Sequence, residues 1–175
     1  MLRQRARLLL LPLAAALAVP AAARAQESSM RGTFVIDRAH SDDVNRAIDQ
    51  AVARMSFVTR PIARGRLRRT NTVYQRVVVN FTQTEVSTTF DQRRAITSPA
   101  NGQPVKWTRE DGEVFDLSTE WQGQRLVQTF RAEDGTRTNT YTISADGRVL
   151  TMHVVLRSPR LSGPVEYNLV FNRAS

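Results

Sequence analysis

The chain has no cysteine, which excludes a disulfide framework, a thiolate metal site and a thiol nucleophile. It has only two histidines, His40 and His153, which are far apart in the sequence. His40 precedes a Ser-Asp-Asp sequence at 41–43, but helix capping accounts for these neighbours, because adjacent side chains at a helix start do not converge on one ion. No glycine-rich phosphate loop and no nucleophile-elbow sequence is present. The sequence therefore predicts a protein that is not an enzyme and needs no metal or cofactor.

Lysine is almost absent, since Lys106 is the only one and every other cationic side chain is an arginine. Long apolar runs are also absent, apart from the 16 residues between Leu8 and Ala23. Arginines precede this run and Ala23-Arg24-Ala25 ends it, which is the pattern of a secretory signal peptide cleaved before Gln26. The run is shorter than the roughly 20 residues that a membrane-spanning helix needs. We therefore expect residues 1–25 to be a signal peptide and the protein to be periplasmic or secreted.

The remaining chain, residues 26–175, is expected to form a single domain. Removing the four arginines of the N-terminal segment lowers the formal net charge from +9 to about +5. Because no cysteine follows the cleavage position, a lipid-modified N-terminus is excluded, and no later run is apolar enough to span a bilayer. The expected product is a moderately basic domain whose stability comes from its core alone.

One segment has the apolar periodicity of an amphipathic helix. Its apolar residues recur at spacings of three and four: Val44, Ala47, Ile48, Ala51, Val52 and Met55. Ser41 is the expected N-cap, and Pro61 marks the point before which the helix is expected to end. The sequence predicts one helix at about 41–58, covering an end or a face of the sheet that follows.

Extended segments rich in β-branched and aromatic residues fill the chain at about 72–173. The clearest are five segments between Val114 and Arg173, separated by short turns that include Asp134-Gly135 and Asp146-Gly147. Short connections between sequential strands favour an up-and-down arrangement. The predicted fold is mainly β: an antiparallel up-and-down barrel or curved half-barrel of about 8–9 strands, preceded by one amphipathic helix.

This arrangement over residues 70–173 resembles the lipocalin-like (calycin) barrels. Its closing part looks like the end of small secreted bacterial domains of that architecture: Leu150–Leu156, Pro159-Arg160-Leu161 and Pro164–Phe171. The Gly-x-Trp motif of many lipocalins is missing, because neither Trp107 nor Trp121 has a glycine two residues before it. The resemblance implies a secreted binding protein that takes a small hydrophobic or amphipathic ligand into its barrel.

Alternation along the strands predicts which side chains face the interior. The large side chains on these faces are the expected ligand contacts: Trp107, Phe115, Trp121, Phe130, Tyr141, Met152 and Tyr167. Two polar residues, Thr119 and Gln128, share the faces. A barrel of about 8–9 strands is wide enough for its own side chains or for one small apolar ligand. Two interpretations therefore stand, a ligand cavity with a few polar groups and a packed core.

The densest charge run is the arginine-rich segment 60–69. Its cationic residues are Arg60, Arg64, Arg66, Arg68 and Arg69. Guanidinium groups bind phosphates in a bidentate manner, so this segment is a candidate contact for anionic lipid headgroups or an acidic partner. The alternative interpretation is a solvated connector between the helix and the sheet. A second functional hypothesis follows, an accessory protein that docks on a membrane complex or the cell envelope through residues 60–69; nucleic acid is not expected as a partner of an exported chain.

Overall fold

Ten strands with alternating burial form one antiparallel sheet in the computed structural model, which describes residues 27–174. The predicted signal peptide lies outside these described residues. The strands are β1 Gly32–Asp37, β2 Arg76–Phe81, β3 Glu85–Phe90, β4 Ile96–Pro99, β5 Val105–Thr108, β6 Val114–Gln122, β7 Arg125–Ala132, β8 Gly135–Ile143, β9 Val149–Arg157 and β10 Val165–Arg173.

The sheet curls into a nearly closed barrel. Its strand order is β4-β3-β2-β1-β10-β9-β8-β7-β6-β5, so β1 lies between β2 and β10, while β4 and β5, although consecutive in the chain, are the two edges of the sheet. The edge strand β4 approaches β6 where the Ser98 hydroxyl lies 2.6 Å from that of Thr119, and an isolated bridge nearby joins Asn101 to Glu120. We call the line along which β4 faces β5 and β6 the seam. It is pinned at one end by these contacts and has no ladder of backbone hydrogen bonds along the rest of its length.

The five-stranded meander predicted between Val114 and Arg173 is confirmed as β6–β10. The predicted strand count was too low, because residues 32–37 form β1 and pair on both sides, with β2 and with β10. The expectation that a helix precedes all strands was wrong for the same reason. A short apolar segment flanked by polar residues gives a weak strand signal, and its two partners lie far away in the sequence.

Two helices replace the single helix predicted at about 41–58. The first, α1, spans Val44–Val52, and its N-cap is Asp43, whose carboxylate accepts from the backbone N–H groups of residues 45 and 46 at 2.9 and 3.2 Å. The expected N-cap Ser41 instead binds the sheet, because its hydroxyl accepts from the Val170 backbone N–H at 2.9 Å. The helix therefore begins later than predicted and is anchored to β10 just before its start.

The arginine-rich segment is a helix and not a connector. This second helix, α2, spans Thr59–Thr70. Pro61 lies in its first turn, where the missing N–H would have no partner within the helix, so the proline does not prevent helix formation. Arginine is a good helix former, which compensates for Gly65 in the middle of the helix.

The helices cover one end of the barrel, which we call the helical end. There α1 buries Val44, Ile48, Ala51 and Val52, and the Ser162 hydroxyl in the β9–β10 turn donates to the Ala51 carbonyl at 2.7 Å. Arg173 and the fully buried Met30 close the opposite end, where the Arg173 guanidinium donates to the Arg31 carbonyl at 2.8 Å. Neither α1 nor α2 has the length and apolar content needed to cross a bilayer, and no other helix in residues 27–174 has them.

Candidate ligand-binding site

Three of the predicted contact residues form an aromatic cluster inside the barrel. The ring centroids of Trp107 on β5 and Phe115 on β6 are 5.6 Å apart. Phe130 on β7 lies with its centroid 5.2 Å from that of Trp107 and 6.2 Å from that of Phe115. These three strands are neighbours on one side of the seam, and alternation points the three side chains to the same face. The cluster therefore lines the interior near the open part of the seam.

The other four predicted residues lie deeper or nearer the opposite end. Trp121 stacks on Phe81 with centroids 5.9 Å apart, and its buried indole N–H has no hydrogen-bond partner in the part of the chain that the structure describes. Tyr141, Met152 and Tyr167 are fully buried on the adjacent strands β8, β9 and β10. All seven predicted contact residues therefore face the interior of the barrel. Whether they contact a ligand stays a prediction.

A polar cluster crosses this apolar interior and is centred on Arg137 of β8. The Arg137 guanidinium donates from Nε to the Asn139 side-chain oxygen at 2.9 Å and from Nη1 to the Asn71 side-chain oxygen at 3.0 Å. Its Nη2 lies 3.5 Å from the Tyr167 hydroxyl, which itself donates to Asn71 at 3.1 Å. Asn71 follows α2 directly, so the cluster joins the helical end to the strands.

A second branch of the cluster runs deeper into the barrel. Asn139 donates to the Tyr141 hydroxyl at 3.4 Å, and that hydroxyl donates to the Gln128 side-chain oxygen at 3.3 Å. The Gln128 side-chain nitrogen is buried and has no hydrogen-bond partner among residues 27–174. Burial raises the pKa of the Tyr141 phenol well above its usual value of 10.0, so it remains a neutral hydrogen-bond donor in the physiological range. The predicted polar residues Gln128 and Thr119 are confirmed as interior groups.

The charge of this cluster is not balanced by an acid. The Arg137 contacts are with two amides and a phenol, and no ion pair to Arg137 occurs within residues 27–174. Placing a cation among apolar side chains costs free energy unless an anion or several hydrogen bonds offset the lost hydration. An anionic group next to Arg137 would add the missing charge partner.

The mouth of the barrel at the helical end is polar. A shallow, solvent-open cavity of about 660 Å³ lies there, lined by Gln75, Arg76, Asp91, Gln92, Arg93 and Glu110. The guanidinium of Arg93, in the β3–β4 turn, contacts the carboxylate of Glu110, in the β5–β6 turn, at 3.1 Å. This ion pair spans the open end of the seam. A second cavity of about 270 Å³ lies near the start of α1, where the buried Val44 is part of its lining, and neither cavity is lined by the buried apolar side chains of the strands.

Four of the five arginines predicted to bind anions already have partners in the protein. Arg64 and Arg68 both contact the Asp49 carboxylate, at 2.8 and 3.3 Å. Arg66 lies 3.6 Å from Asp134 and 4.0 Å from Glu113, in two turns of the helical end. Arg60 donates to the Met55 carbonyl at 2.8 Å. Arg69 is exposed and has no ion-pair partner in the part of the chain that the structure describes.

Both histidines lie outside the barrel in hydrogen-bonded positions. His153 contacts the Asn168 side-chain oxygen at 2.9 Å through Nδ1 and Glu166 at 3.3 Å through Nε2. His40 contacts Asp37 at 2.8 Å, and this hydrogen bond, with a second one from Asn172, lowers the pKa of the Asp37 carboxyl. No group of three or more potential metal-ligating side chains comes together in residues 27–174.

Sequence reasoning missed Arg137 and Asn71. A signal for Arg137 was present, because it stands two and four residues before Asn139 and Tyr141 and therefore shares their face of β8. For Asn71 no comparable signal exists, since its position depends on a helix that the sequence did not predict. The polar cluster was thus partly predictable from alternation alone.

Comparisons with known proteins define the fold class. No family model and no curated protein sequence matches the chain. Solved structures do match, among them a Schistosoma mansoni fatty acid binding protein in complex with arachidonic acid, with a TM-score of 0.55 and 17% identity over 86% of this chain and 99% of that one. An Echinococcus granulosus fatty-acid-binding protein has a TM-score of 0.53 and 8% identity over 85% and 99% of the two chains.

Human cRBP IV is a third match, with a TM-score of 0.50 and 18% identity over 82% of this chain and 98% of that one. Identities at this level establish a common fold and nothing more. The fold is thus a calycin-like, nearly closed antiparallel barrel, as the sequence resemblance implied, with ten strands where about 8–9 were expected.

Proposed function

We propose that this protein is a non-enzymatic binding protein that takes a small amphipathic molecule with an anionic head group into its barrel. The observation that carries the proposal is Arg137, a half-buried cation inside an apolar barrel whose contacts are all neutral. The fold supports it, because the similar structures are of proteins named as fatty-acid-binding, one of them with arachidonic acid.

Each part of such a ligand has a counterpart in the interior. A carboxylate at Arg137 accepts charge-assisted hydrogen bonds from the guanidinium and one from the Tyr167 hydroxyl after it turns from Asn71. The apolar tail packs against the aromatic and aliphatic side chains on the inner faces of the strands, with a gain of about 25 cal/mol per Å² of apolar surface removed from water. The buried and unpartnered nitrogens of Gln128 and Trp121 are further donors for a polar group.

Entry of the ligand requires movement, because the two cavities described at the surface are not lined by the buried apolar side chains of the strands. The seam is the place for that movement, since β4 and β5 lack a continuous ladder of hydrogen bonds between them. The Arg93–Glu110 ion pair holds its open end, and an exposed ion pair of this kind is worth only about 0–1 kcal/mol. Separating the two turns is therefore inexpensive compared with the burial that follows.

The proposed location is the periplasm or the outside of the cell. The proposal rests on the arginines, the apolar run and the Ala-Arg-Ala sequence within residues 1–25. Expression of the full chain in a Gram-negative host, fractionation and N-terminal sequencing test it. We expect a processed protein beginning at Gln26 in the periplasmic fraction; an unprocessed chain in the cytoplasm contradicts the proposal.

The binding proposal is tested by calorimetric titration with palmitate and with its neutral methyl ester. Arg137→Gln is expected to weaken palmitate binding by about 10- to 150-fold, the equivalent of the roughly 1.5–3 kcal/mol of a charged hydrogen bond, and to leave ester binding nearly unchanged. Arg131→Gln is the matched control, because Arg131 is exposed on the neighbouring strand β7. No binding of either probe by the wild-type chain, or an equal loss in both variants, contradicts the proposal.

A further inference from the structure

The turn between α1 and α2 and the first part of α2 carry an exposed apolar surface. Phe57 is 85% exposed, Val58 60% and Ile62 71%. Among residues 27–174 the other large hydrophobic side chains in this class are Val35 and Val114, which lie far from this turn in the sequence. Three such side chains within six residues are unusual on a protein surface that faces only water, and such a patch marks an interaction site.

The helix geometry directs this surface away from the barrel. Val58, Ile62 and Arg69 are spaced by four and seven residues, so they lie on one face of α2. Leu67, the buried residue of α2, lies on the opposite face. The outer face of α2 is therefore apolar near the helix start and cationic near its end, and it has no partner in the described structure.

The charged side chains of the segment that carries this surface are all cationic. Between Arg54 and Thr70 there are six arginines and no acidic residue. Asp49, Glu113 and Asp134 balance some of them, but Arg54 and Arg69 are exposed and have no ion-pair partner in residues 27–174. An apolar patch with unpaired guanidinium groups beside it is complementary to a surface whose outer layer is anionic and whose inner layer is apolar.

We propose that Arg54, Phe57, Val58, Ile62 and Arg69 form a docking surface for an anionic lipid bilayer. The three apolar side chains insert at the boundary between headgroups and acyl chains, while the two arginines contact the lipid phosphates. This surface goes beyond the proposed function and does not depend on ligand binding inside the barrel. Of the five arginines that the sequence predicted to bind anions, the proposal keeps only Arg69. It adds Arg54, which lies outside the predicted segment 60–69.

Docking in this way gives the barrel a defined orientation. Arg66 of α2 contacts Glu113 and Asp134 in the β5–β6 and β7–β8 turns. A bilayer that receives the outer face of α2 therefore lies close to the helical end and to the open part of the seam. The polar face at His153 and Glu166 on β9 and β10 is not part of this surface.

The test is co-sedimentation of the full chain with vesicles of phosphatidylcholine alone and of phosphatidylcholine with phosphatidylglycerol. We expect binding to the anionic vesicles that weakens as salt is raised, and little binding to the neutral ones. The double variant Phe57→Ser with Ile62→Ser is expected to bind about tenfold more weakly. Its control is Val35→Ser, which removes an exposed apolar side chain of β1, away from α2, and is expected to bind like the wild type.

A second pair of variants separates this surface from the overall positive charge. Arg54→Gln with Arg69→Gln and Arg125→Gln with Arg131→Gln lower the net charge equally, and all four side chains are exposed. We expect the first pair to weaken vesicle binding about tenfold and the second to change it less than twofold. Equal losses in the two pairs, no binding of the wild type, or an unchanged Phe57→Ser/Ile62→Ser variant would each overturn the proposal.

Discussion

At the scale of single residues, the interior contains polar side chains that satisfy one another's hydrogen bonds. Tyr167 is the best example, because its buried hydroxyl joins Asn71 to Arg137. When a buried polar group loses its hydrogen bond, the protein loses stability equal to the full desolvation penalty of that group. An exposed polar group forms a hydrogen bond with water instead, so its loss costs little. Comparing the buried Tyr167 with the half-buried Tyr74 allows this difference in stability to be measured.

Tyr167→Phe is expected to lower the free energy of unfolding by about 1–3 kcal/mol, because Asn71 loses a donor in a buried position. Tyr74→Phe is the matched control, since Tyr74 is half-buried and its described contacts are through its ring, with Phe90 and Arg93. Urea unfolding followed by circular dichroism measures both. Equal destabilisation of the two variants would contradict the role given to the Tyr167 hydroxyl.

Asp111 gives a prediction about pH. The Arg109 guanidinium donates to both of its carboxylate oxygens, at 2.8 and 2.6 Å, and this lowers the pKa of Asp111 from 3.8 to about 2. Because the folded-state pKa is the lower one, the stability that the pair contributes is present above pH 3.8 and is lost as the pH falls toward 2.

In Arg109→Gln the pKa of the Asp111 carboxyl is expected to return toward 3.8, as measured by the NMR chemical shift of the carboxyl carbon during an acid titration. Asp146 serves as an internal control, because its pKa is lowered by Ser144 and by the Arg148 backbone N–H and not by Arg109. An Asp111 pKa that stays near 2 in the variant would show that Arg109 is not the cause.

At the scale of elements, strands were easier to predict than helices. Period-two alternation is local, so β6–β10 and the inward faces of Tyr141 and Met152 could be identified from the sequence. The boundary between α1 and α2 could not, because a proline in the first turn of a helix looks the same in sequence as one that ends a helix. Arg137 was within reach of the alternation argument, whereas its contact with Asn71 depends on where α2 ends.

The helical state of residues 59–70 can be tested with glycine substitutions. Gly65 is in the middle of α2 and an added Cβ finds only a flexible arginine tip 3.9 Å away, so Gly65→Ala is expected to stabilise the protein by about 0.5–1 kcal/mol. Gly112 also has free space, but its φ is +87°, so Gly112→Ala is expected to destabilise by about 1–2 kcal/mol. Thermal unfolding of the two variants measures the sign of each stability change. Destabilisation by Gly65→Ala would contradict the helix.

At the scale of the whole molecule, the barrel is held by continuous backbone hydrogen bonding between neighbouring strands everywhere except along the seam. The pairs β8–β9 and β9–β10 are held by long antiparallel registers, while β4 and β5 are edge strands of four residues each. The helix α2 is attached to the barrel partly by exposed ion pairs such as Arg66 with Asp134 at 3.6 Å, each worth about 0–1 kcal/mol. The structure is therefore most easily opened at the seam and at the helical end.

Amide hydrogen exchange should follow this division. We expect the amides of β4, β5 and α2 to exchange faster than those of β8 and β9, because local opening of the seam needs less free energy than global unfolding. Bound palmitate is expected to slow exchange along the seam. Uniform protection across all ten strands, or no change on adding palmitate, would show that the seam is not the route of entry.

The central claim is that the barrel holds an anionic amphiphile at Arg137. It is tested most directly by native mass spectrometry of the protein purified gently from its own host, followed by organic extraction and by incubation with palmitate. The account predicts an acidic amphiphile bound at one per chain, or palmitate bound at that stoichiometry, and loss of either in Arg137→Gln but not in Arg131→Gln. A ligand-free mass before and after incubation with palmitate would contradict it and would make the interior a packed core.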